Sequence, residues 1–283
     1  MAIVYLGGQL LESREASISI DDRGFLFGDG VYEVVRARNG RLFEAAAHQE
    51  RLERSLREIA IDPPASVGAG GMEDLCGELI RANGFGTGDA TVYVQVTRGA
   101  APRIHSFPAP YTPPTVFASA SAFHAPIGLR EQGAAAITRP DIRWSRCDIK
   151  SINLLPNVLA KQAAVEAGAF EAMLVRDGLL TEGASTNIFC VVDGSLRTHP
   201  LGDHILGGIT RAVVLELAAE AGVGVIEEAV PEADLSAVDE IFATGTTTDV
   251  QPIVLVDTRP VGDGRPGPVT RLLQRGLERR LGA

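Results

Sequence analysis

The chain contains only two lysines, Lys150 and Lys161, among its 26 basic residues. The others are arginines, which stay protonated, so a lysine is expected where the chemistry needs an amine that can lose its proton. Such an amine could form a Schiff base or act as a general base. Lys161 falls in a predicted helix, residues 157–168, where we expect it on a solvated face. Lys150 has large apolar neighbours in sequence, and burial among them would lower the pKa of its amine. These neighbours are Trp144, Ile149, Ile152, Leu154 and Leu155.

Two glycine-containing segments could bind an anion. Two glycines precede Thr210 and a helix predicted to run to Ala221, and a helix start presents backbone N–H groups and a positive dipole end. The alternative is that Thr210 simply caps this helix. The turn Thr244-Gly-Thr-Thr247 follows a predicted strand, residues 240–243, and could supply hydroxyl groups to the same anion.

Other polar side chains remain ambiguous when only the residues are considered. Arg103 and His105 lie on a proline-stiffened loop and could bind a carboxylate, because a guanidinium presents paired donors to two oxygens. They could equally be surface charges. His48 and Arg51 are three residues apart on an amphipathic helix predicted over residues 44–61. The residues alone favour a solvated side of that helix for both.

The run Arg-Trp-Ser-Arg-Cys-Asp-Ile-Lys-Ser-Ile-Asn-Leu-Leu, residues 143–155, resembles the cofactor-lysine segment of the fold type IV pyridoxal phosphate (PLP) enzymes. Within these enzymes it most resembles the D-amino acid aminotransferases, and the likeness extends over nearly the whole chain. Residues 22–33, Asp-Arg-Gly-Phe-Leu-Phe-Gly-Asp-Gly-Val-Tyr-Glu, match a second family pattern. The resemblance implies that Lys150 binds PLP as a Schiff base and is the catalytic residue that moves the α-proton of the substrate.

The resemblance also implies further cofactor contacts. In His48-Gln-Glu-Arg51-Leu, Arg51 stands where the family binds the cofactor phosphate. Glu182, alone an exposed turn carboxylate, lies in Thr-Glu-Gly-Ala-Ser-Thr-Asn, the segment whose Glu binds the pyridine nitrogen. Family members often carry Ser where Gly245 stands, which puts one contact in doubt. The remaining residues that we expect to bind the cofactor are Ser185, Leu206, Gly208, Ile209, Thr210, Gly245, Thr246 and Thr247.

The segment Arg-Gly-Ala-Ala-Pro-Arg-Ile-His, residues 98–105, resembles the substrate carboxylate loop of D-amino acid aminotransferases. It implies that Arg103 and His105 bind the substrate carboxylate, together with the phenol of Tyr32. In that family the loop reaches the active site of the partner subunit, so a homodimer with active sites at the subunit interface is implied. The expected substrates are a D-amino acid, such as D-alanine or D-glutamate, and a 2-oxo acid, first of all 2-oxoglutarate.

Two alternatives to this reaction remain open. The same scaffold could carry an L-branched-chain aminotransferase or an aminodeoxychorismate lyase, and Pro102-Arg-Ile-His105 favours the D-amino acid enzyme over both. A PLP-carrying or cofactor-free binding protein without turnover is the other possibility. The presence of Lys150 and Glu182 argues against it.

The fold class expected is α+β, with the two-domain architecture of fold type IV. We expect a small N-terminal α/β domain over residues 1–120 and a linker of small residues and one proline over 121–128. A larger C-terminal PLP-binding domain, residues 129–283, should hold a β-barrel-like sheet flanked by helices. Glycine turns and β-branched runs predict strands, and apolar periodicity predicts helices. The strands are 3–6, 9–12, 31–35, 41–43, 90–97, 115–120, 134–142, 171–175, 240–243 and 253–257, and the helices are 44–61, 72–83, 157–168, 210–221 and 269–281.

Composition limits the classes of partner. The 283 residues are 45% hydrophobic, enough for one large or two medium domains, and the net charge of −10 with a pI near 5.0 disfavours nucleic acid and anionic membranes. The three cysteines are an odd number without close spacing, which fits unpaired thiols in the cytoplasm. No apolar run is long enough to span a membrane, and the first eight residues lack the charged region of a signal peptide.

Neither metal nor nucleotide motifs support another chemistry. The five histidines lack HExxH spacing and the cysteines form no CxxC, so no metal site is expected. Neither lysine lies in a phosphate-binding GxxxxGK[ST] loop. Gly84-Phe-Gly-Thr-Gly88 does not match the dinucleotide-binding pattern.

Overall fold

The computed structural model describes residues 2–109 and 111–282. Met1, Pro110 and Ala283, which fall in or beside our predicted elements and domains, lie outside the described residues. The chain divides into two compact units, described separately below. The first comprises Met1–His124 and Ile149–Asn153, and the second comprises Ala125–Asp148 and Leu154–Ala283.

The first unit is built on a six-stranded sheet in which all neighbouring strands are antiparallel. Its strands are β1 (Ile3–Leu6), β2 (Gln9–Glu12), β3 (Gly30–Arg38), β4 (Arg41–Leu42), β5 (Asp89–Thr97) and β6 (Thr115–Ala122). They lie in the order β2-β1-β6-β5-β3-β4. Three helices complete the unit: α1 (Arg23–Phe27), α2 (Ala45–Glu58) and α3 (Gly71–Ala82).

Alternate residues of strand β3 share one face of the sheet, because successive residues of a strand point to opposite faces. Val31 and Val35 are fully buried and share a core with Leu52 and Leu56 of α2. Glu33 lies between the two valines in this alternation and is also fully buried. A carboxylate therefore faces the helix side of the sheet, where burial demands a partner.

The segment Ile149–Asn153 is held against β3 by backbone hydrogen bonds. Tyr32 N donates to Lys150 O at 3.0 Å, and Ile152 N donates to Gly30 O at 3.1 Å. Lys150 N also donates to the hydroxyl of Ser55 on α2 at 3.3 Å. The predicted division had placed these residues in the C-terminal domain; the structure instead assigns them to the first unit, because they pair with its edge.

The second unit contains a mixed nine-stranded sheet. Its strands are β7 (Ala134–Pro140), β8 (Glu171–Arg176), β9 (Leu179–Gly183), β10 (Asn187–Val192), β11 (Ser195–Thr198), β12 (Val225–Glu227), β13 (Glu240–Gly245), β14 (Asp249–Val256) and β15 (Arg259–Pro260). The order is β12-β11-β10-β13-β14-β7-β8-β9, with β15 paired to β14. Although β9 ends this order, a short turn joins it to β10, and Gly183 N donates to Thr186 O at 2.7 Å. The sheet curls accordingly, as the predicted β-barrel-like sheet requires.

Four α-helices and one 3-10 helix accompany this sheet. They are α4 (Ile127–Gln132), α5 (Leu155–Glu166), α6 (Ile209–Glu220), the 3-10 helix Glu232–Ala237 and α7 (Pro268–Arg280). Pro156 lies in the first turn of α5, where its missing N–H costs no helical hydrogen bond. The α+β fold class is confirmed. In the described chain, residues 2–109 and 111–282, no helix is long and apolar enough to cross a membrane.

Several elements of the structure were not predicted. They are the strands β9, β10, β11, β12 and β15, the helices α1 and α4, and the 3-10 helix Glu232–Ala237. A short helix, α1, occupies part of the glycine-rich bend before β3. The predicted linker, residues 121–128, is largely structured, because β6 continues through Ala122 and α4 begins at Ile127. Strand β9 was not predicted; Asp177 and Gly178, with φ of 53° and 76°, form the tight turn that folds it back on β8.

Candidate active site

Lys150 presents its amine to an aromatic ring. Its Nζ lies 4.2 Å from the centroid of the Tyr32 ring, and within residues 2–109 and 111–282 no carboxylate forms an ion pair with it. The apolar setting expected from the sequence is only partly present, because Ile149 is buried whereas Trp144 and Leu155 are 42% and 66% exposed. Lys150 itself is half-buried, with a backbone fixed on both sides by the bonds to β3.

Lys161, the second lysine, is engaged elsewhere. Its Nζ donates to Phe170 O and lies 3.7 Å from a carboxylate oxygen of Glu171. The predicted solvated face is present only in part, because the side chain is 40% exposed but its amine bonds a backbone carbonyl. Of the two lysines, Lys150 is the one without an acidic partner in the described chain.

Arg51 and His48 converge on Glu33. Arg51 donates from Nε and Nη2 to the two carboxylate oxygens at 2.7 and 2.8 Å, and His48 Nδ1 lies 2.8 Å from Oε2. Burial alone would raise the pKa of Glu33, but the charge and hydrogen bonds of Arg51, with the hydrogen bond of His48, lower it. Burial lowers the pKa of His48, and so do the positive charges of Arg51 and Lys150. The hydrogen bond and charge of Glu33 act in the opposite direction. The solvated helix side that the residues alone favoured is wrong for both.

Arg103 and His105, on the predicted substrate carboxylate loop, both lie beside the ring of Phe27. The Arg103 guanidinium carbon lies 5.2 Å from the centroid of Phe27, and the His105 ring centroid lies 5.5 Å from it. Both side chains are exposed. Tyr32 instead stacks on Tyr93 at 5.6 Å, and no hydrogen bond or ring contact joins it to either residue in the described part of this chain.

Glu182 is a buried strand residue, so an exposed turn carboxylate is wrong. It lies on β9 and accepts hydrogen bonds from Asn187 Nδ2 and Leu206 N, each at 3.0 Å, and from Arg143 Nη1. Burial raises the pKa of Glu182 to about 7, against the lowering effect of Arg143 and of the Leu206 N–H. An additional positive charge beside this buried carboxyl group would stabilise its ionised form.

Arg143 and Asp141 lie beside Glu182, although the sequence assigned neither residue a role in the site. Arg143 donates from Nε and Nη2 to the two oxygens of Asp141 at 2.9 and 2.8 Å, and also contacts Glu182. Asp141 also pairs with Arg176 at 3.2 Å. Burial would raise the pKa of Asp141, but Arg143 lowers it to about 2. The sequence feature that could have indicated this pair is an acidic residue and a basic residue, 141 and 143, separated by one position.

The start of α6 provides an anion-binding geometry. Gly208 is the N-cap residue, and no side chain caps the helix, so capping by Thr210 is wrong. A Cβ at Gly208 would lie 2.0 Å from Asn187 Oδ1, which leaves room only for glycine. Asn187 links this turn to Glu182, because its Nδ2 also donates to Leu206 O at 2.8 Å. Ile209 and Thr210 form the first turn of the helix, whose amide groups remain available to a ligand.

The turn between β13 and β14 lies next to this cluster through strand pairing, since Asn187 is opposite Thr244. Thr246 is half-buried and Thr247 is exposed, whereas the hydroxyl of Thr244 is buried without a hydrogen-bond partner in the described chain. A Cβ at Gly245 would lie 3.4 Å from Thr248 Oγ1, so a serine would fit there.

Ser185 was also predicted to bind the cofactor, and no metal site was expected. The hydroxyl of Ser185 donates to Glu171 Oε2 at 3.1 Å, which commits it to a neighbouring carboxylate. Within residues 2–109 and 111–282, no group of three or more His, Cys, Asp or Glu side chains is arranged to hold a metal ion.

Comparison with known proteins identifies the class to which this fold and site belong. The amino-transferase class IV family matches residues 30–256. The chain is 43% identical over 279 residues to the D-alanine aminotransferase of Staphylococcus haemolyticus, covering 99% of this chain and 98% of that protein. It is 45% identical over 275 residues to the D-alanine aminotransferase of Bacillus licheniformis, covering 97% and 95%.

Solved structures give the same fold. The Escherichia coli branched-chain amino acid aminotransferase has a TM-score of 0.88 at 27% identity, covering 97% of this chain and 92% of that chain. The Thermoproteus uzoniensis enzyme with norvaline has a TM-score of 0.87 at 30% identity, covering 99% and 95%. The chain therefore belongs to the class IV aminotransferases, which use PLP as their cofactor, and it is a PLP-dependent transaminase.

Proposed function

We propose that this chain is a D-amino acid aminotransferase that moves the amino group of D-alanine or D-glutamate to 2-oxoglutarate or another 2-oxo acid. The observation that carries the proposal is the likeness to D-alanine aminotransferases, which spans nearly the full length at 43% and 45% identity. The two branched-chain enzymes described above reach only 27% and 30%. Identity over the whole chain therefore favours D-amino acid donors.

Features of the described residues fit PLP, which carries an anionic phosphate and a ring nitrogen that can be protonated. The start of α6 has no side-chain cap, and Gly208 leaves its amide groups approachable. The Thr244 hydroxyl is buried without a partner in the part of the chain described. Glu182 is a carboxyl group whose pKa is raised by burial, so an additional positive charge beside it would stabilise its ionised form. The first two features suit a phosphate, and the third suits a protonated pyridine.

The cofactor residues follow from these features and from the family. Lys150 would bind the cofactor aldehyde covalently, and Glu182 would pair with the pyridine nitrogen. Arg51, held by Glu33, would contact the phosphate. Leu206 fixes Glu182 through its N–H, and we leave Ser185 out of the phosphate set because its hydroxyl bonds Glu171. The other phosphate contacts would come from Gly208, Ile209, Thr210, Gly245, Thr246 and Thr247.

The chain's own residues account for proton transfer and substrate orientation. Bound PLP supplies an electron sink for the bond that breaks at the substrate α-carbon. The amine of Lys150 would take the proton from the substrate α-carbon and deliver it to the cofactor, a role that needs an amine without a competing acidic partner. Glu182 keeps a proton on the pyridine nitrogen by offering it a buried carboxylate. Arg143, shared between Asp141 and Glu182, holds that carboxylate in place.

Stereoselectivity would come from the residues that bind the carboxylate. Lys150 reaches the α-hydrogen from one side only, so the favoured enantiomer is the one whose carboxylate meets Tyr32, Arg103 and His105. Placing the carboxylate against an apolar wall instead would forgo about 2–5 kcal/mol of charge pairing. This corresponds to a discrimination of roughly 30-fold to several-thousand-fold.

A panel of amino donors in both enantiomers, with 2-oxoglutarate as acceptor, tests the proposal. D-alanine and D-glutamate should react far faster than L-alanine, L-glutamate or L-leucine. Arg103→Leu should lower kcat/KM for the D-donors while PLP stays bound. L-leucine rates equal to or above those of D-alanine would instead support a branched-chain aminotransferase, the function named for the solved structures of similar fold.

We also propose that the enzyme is a cytoplasmic homodimer. The carboxylate loop is exposed in a single chain, as a loop that serves a partner subunit would be. Large apolar side chains on the segment that bonds the base of this loop are also exposed, with Ile20 at 78% and Phe25 at 69%. The cytoplasmic location is supported by the cysteines Cys76, Cys147 and Cys190, which are all free and buried. Light scattering of the purified protein should give twice the mass of one chain.

A further inference from the structure

The loop that carries Arg103 and His105 is fastened to the segment before β3. Arg23 N donates to Gly99 O at 2.9 Å, and Ala101 N donates to Asp21 O at 3.1 Å. Gly99 has a φ of 90°, and a Cβ there would lie 2.1 Å from Pro113 O. The base of the loop is therefore fixed by backbone contacts, whereas its tip is not part of a strand.

Asp29 is the centre of a charged cluster below this loop. Its Oδ2 accepts from Arg23 Nε and Arg98 Nε, each at 2.8 Å, and its Oδ1 accepts from Arg98 Nη2 at 3.0 Å. Arg23 and Arg98 have side chains that are only 4% and 9% exposed. One carboxylate thus pairs with two nearly buried guanidinium groups, and the three side chains together carry a net charge of +1.

The terminal nitrogens of Arg23 bond the tip of the loop, whereas those of Arg98 bond the chain just after α2. Arg23 Nη1 donates to Ile104 O at 2.6 Å, and its Nη2 lies 3.5 Å from His105 O. Arg98 donates to Ile59 O and Ala60 O, just after α2, at 2.6 and 2.9 Å. Its guanidinium carbon also lies 3.7 Å from the ring centroid of Phe107.

The side chains at the tip depend on this backbone support. Arg103 and His105 are exposed and contact Phe27, and no hydrogen bond from either side chain is formed among residues 2–109 and 111–282. Their directions are therefore set by the backbone at Ile104 and His105, which Arg23 holds.

We propose that Arg23, Asp29 and Arg98 form a positioning network that sets the conformation of the carboxylate loop and so places Arg103 and His105 against the substrate carboxylate. The proposal rests on the proposed function, because it assigns the network to the binding of that carboxylate. Arg23 is the positioning residue: its Nε is fixed by Asp29, and its two terminal nitrogens reach the loop. Lysine could pair with Asp29 but could not reach both loop carbonyls, since it lacks the guanidinium fork.

Arg23→Lys is the variant that tests the network in the PLP-loaded enzyme. We expect KM for D-alanine to rise roughly ten- to a hundredfold, because small misplacements of binding groups have effects of this size. The affinity for PLP should be unchanged. Arg36→Lys is the matched control: Arg36 is another nearly buried arginine that pairs with an aspartate, Asp89, and lies over a ring, that of Phe123, at 4.6 Å. It should leave KM unaltered.

A double-mutant cycle separates positioning from a merely structural role. If Arg23 acts through Arg103, then Arg23→Lys should raise KM in the native background and have little further effect in an Arg103→Leu background. Equal effects of Arg23→Lys in both backgrounds would overturn the network. Phe107→Leu provides a second test at an exposed site, where folding is not at risk. It removes the ring over Arg98 and should raise KM several-fold, and an unchanged KM would also overturn the network.

The two proposals fail in different ways. If Arg103→Leu alone leaves KM for D-alanine unchanged, the proposed carboxylate role fails and the network falls with it. If Arg103→Leu raises KM but either Arg23→Lys or Phe107→Leu leaves it unchanged, the carboxylate role stands and only the network is wrong.

Discussion

At the scale of single residues, two buried carboxylates respond in opposite ways to their cations. Glu33 has Arg51 as a bidentate partner and His48 as a second donor, and its pKa is lowered despite full burial. Glu182 has one cation, Arg143, whose other nitrogens are engaged by Asp141. Burial therefore dominates at Glu182, and its pKa rises to about 7. Glu182 is the carboxyl group prepared for an additional positive partner.

Lys150 should be the only lysine labelled when the enzyme with bound PLP is reduced by borohydride. The reason is that its amine has no acidic partner in the described chain, whereas Lys161 bonds Phe170 O and lies near Glu171. Peptide mapping identifies the labelled lysine. Lys150→Ala should abolish transamination, and the matched Lys161→Ala should retain it. Label on Lys161, or normal turnover by Lys150→Ala, would contradict the assignment.

Glu182 should make the stability of the PLP-free protein depend on pH. Its folded pKa of about 7 exceeds the ordinary 4.5, so the folded state binds more protons than the unfolded state between these values. The stability that Glu182 contributes is therefore present below about pH 4.5 and lost as the pH rises through 7. Relative to Glu182→Gln, the free energy of unfolding should fall by at most about 3 kcal/mol over this window.

Urea unfolding of both PLP-free proteins at pH 5 and pH 8 measures this difference. The comparison with Glu182→Gln removes the opposite contributions of His48 and His199, whose pKa values are lowered. A difference between the two proteins that is the same at pH 5 and pH 8 would contradict the raised pKa.

At the scale of elements, the sequence predicted those helices and strands that depend on turn residues and apolar periodicity. The two strands of the β1–β2 hairpin and the amphipathic helix α2 follow from glycine turns and periodicity, and the observed bounds differ by at most a few residues. Burial of Glu182 could not be predicted without the family, because it depends on β9 folding onto β8. The pairing of Arg51 with Glu33 could not be predicted either, because the two residues are 18 positions apart and meet only when α2 packs on the sheet.

The start of α6 should tolerate a methyl group at Gly207 but not at Gly208. A Cβ at Gly208 would lie 2.0 Å from Asn187 Oδ1, whereas one at Gly207 would lie 3.7 Å from Leu201 Cδ2. Gly208→Ala must displace Asn187, which also bonds Glu182, and should cost about 1–3 kcal/mol of stability. It should also weaken PLP binding. Urea unfolding and a dialysis titration with PLP measure both effects.

Gly207→Ala is the matched control for this prediction, because it adds the same methyl group one residue earlier in the same turn. It should change neither stability nor PLP affinity by much. Equal losses in the two variants would mean that the whole turn, rather than the contact between Gly208 and Asn187, limits substitution.

At the scale of the whole molecule, one chain does not bring its predicted substrate residues together. Tyr32 stacks on Tyr93, whereas Arg103 and His105 gather on Phe27 at an exposed loop. The family resemblance explains this separation if the loop serves the site of a second copy. The residues of one chain taken alone could not supply that arrangement, because the proposed contacts would lie between two copies of the chain.

Mixed dimers test whether the site is shared. Lys150→Ala and Arg103→Leu subunits, unfolded and refolded together, should recover activity, because one site of each mixed dimer receives a native lysine and a native loop. Random pairing would restore about a quarter of the native activity for a two-fold symmetric dimer. The kcat/KM for D-alanine in the mixture, compared with each variant refolded alone, is the measurement. A mixture no more active than the average of the two variants would contradict a shared site.

The attachment of Ile149–Asn153 to β3 has a consequence for how the protein is made. The chain leaves the first unit after His124 and returns to it only for these five residues before leaving again. On a ribosome, β1 to β6 emerge before Lys150 does, and domains begin to fold from the N-terminal end during synthesis. The nascent sheet must therefore keep the β3 edge open until the lysine arrives. A gene split at the boundary between units would yield a first fragment without Lys150, and a second fragment carrying Lys150 on a segment that has lost its hydrogen bonds to β3.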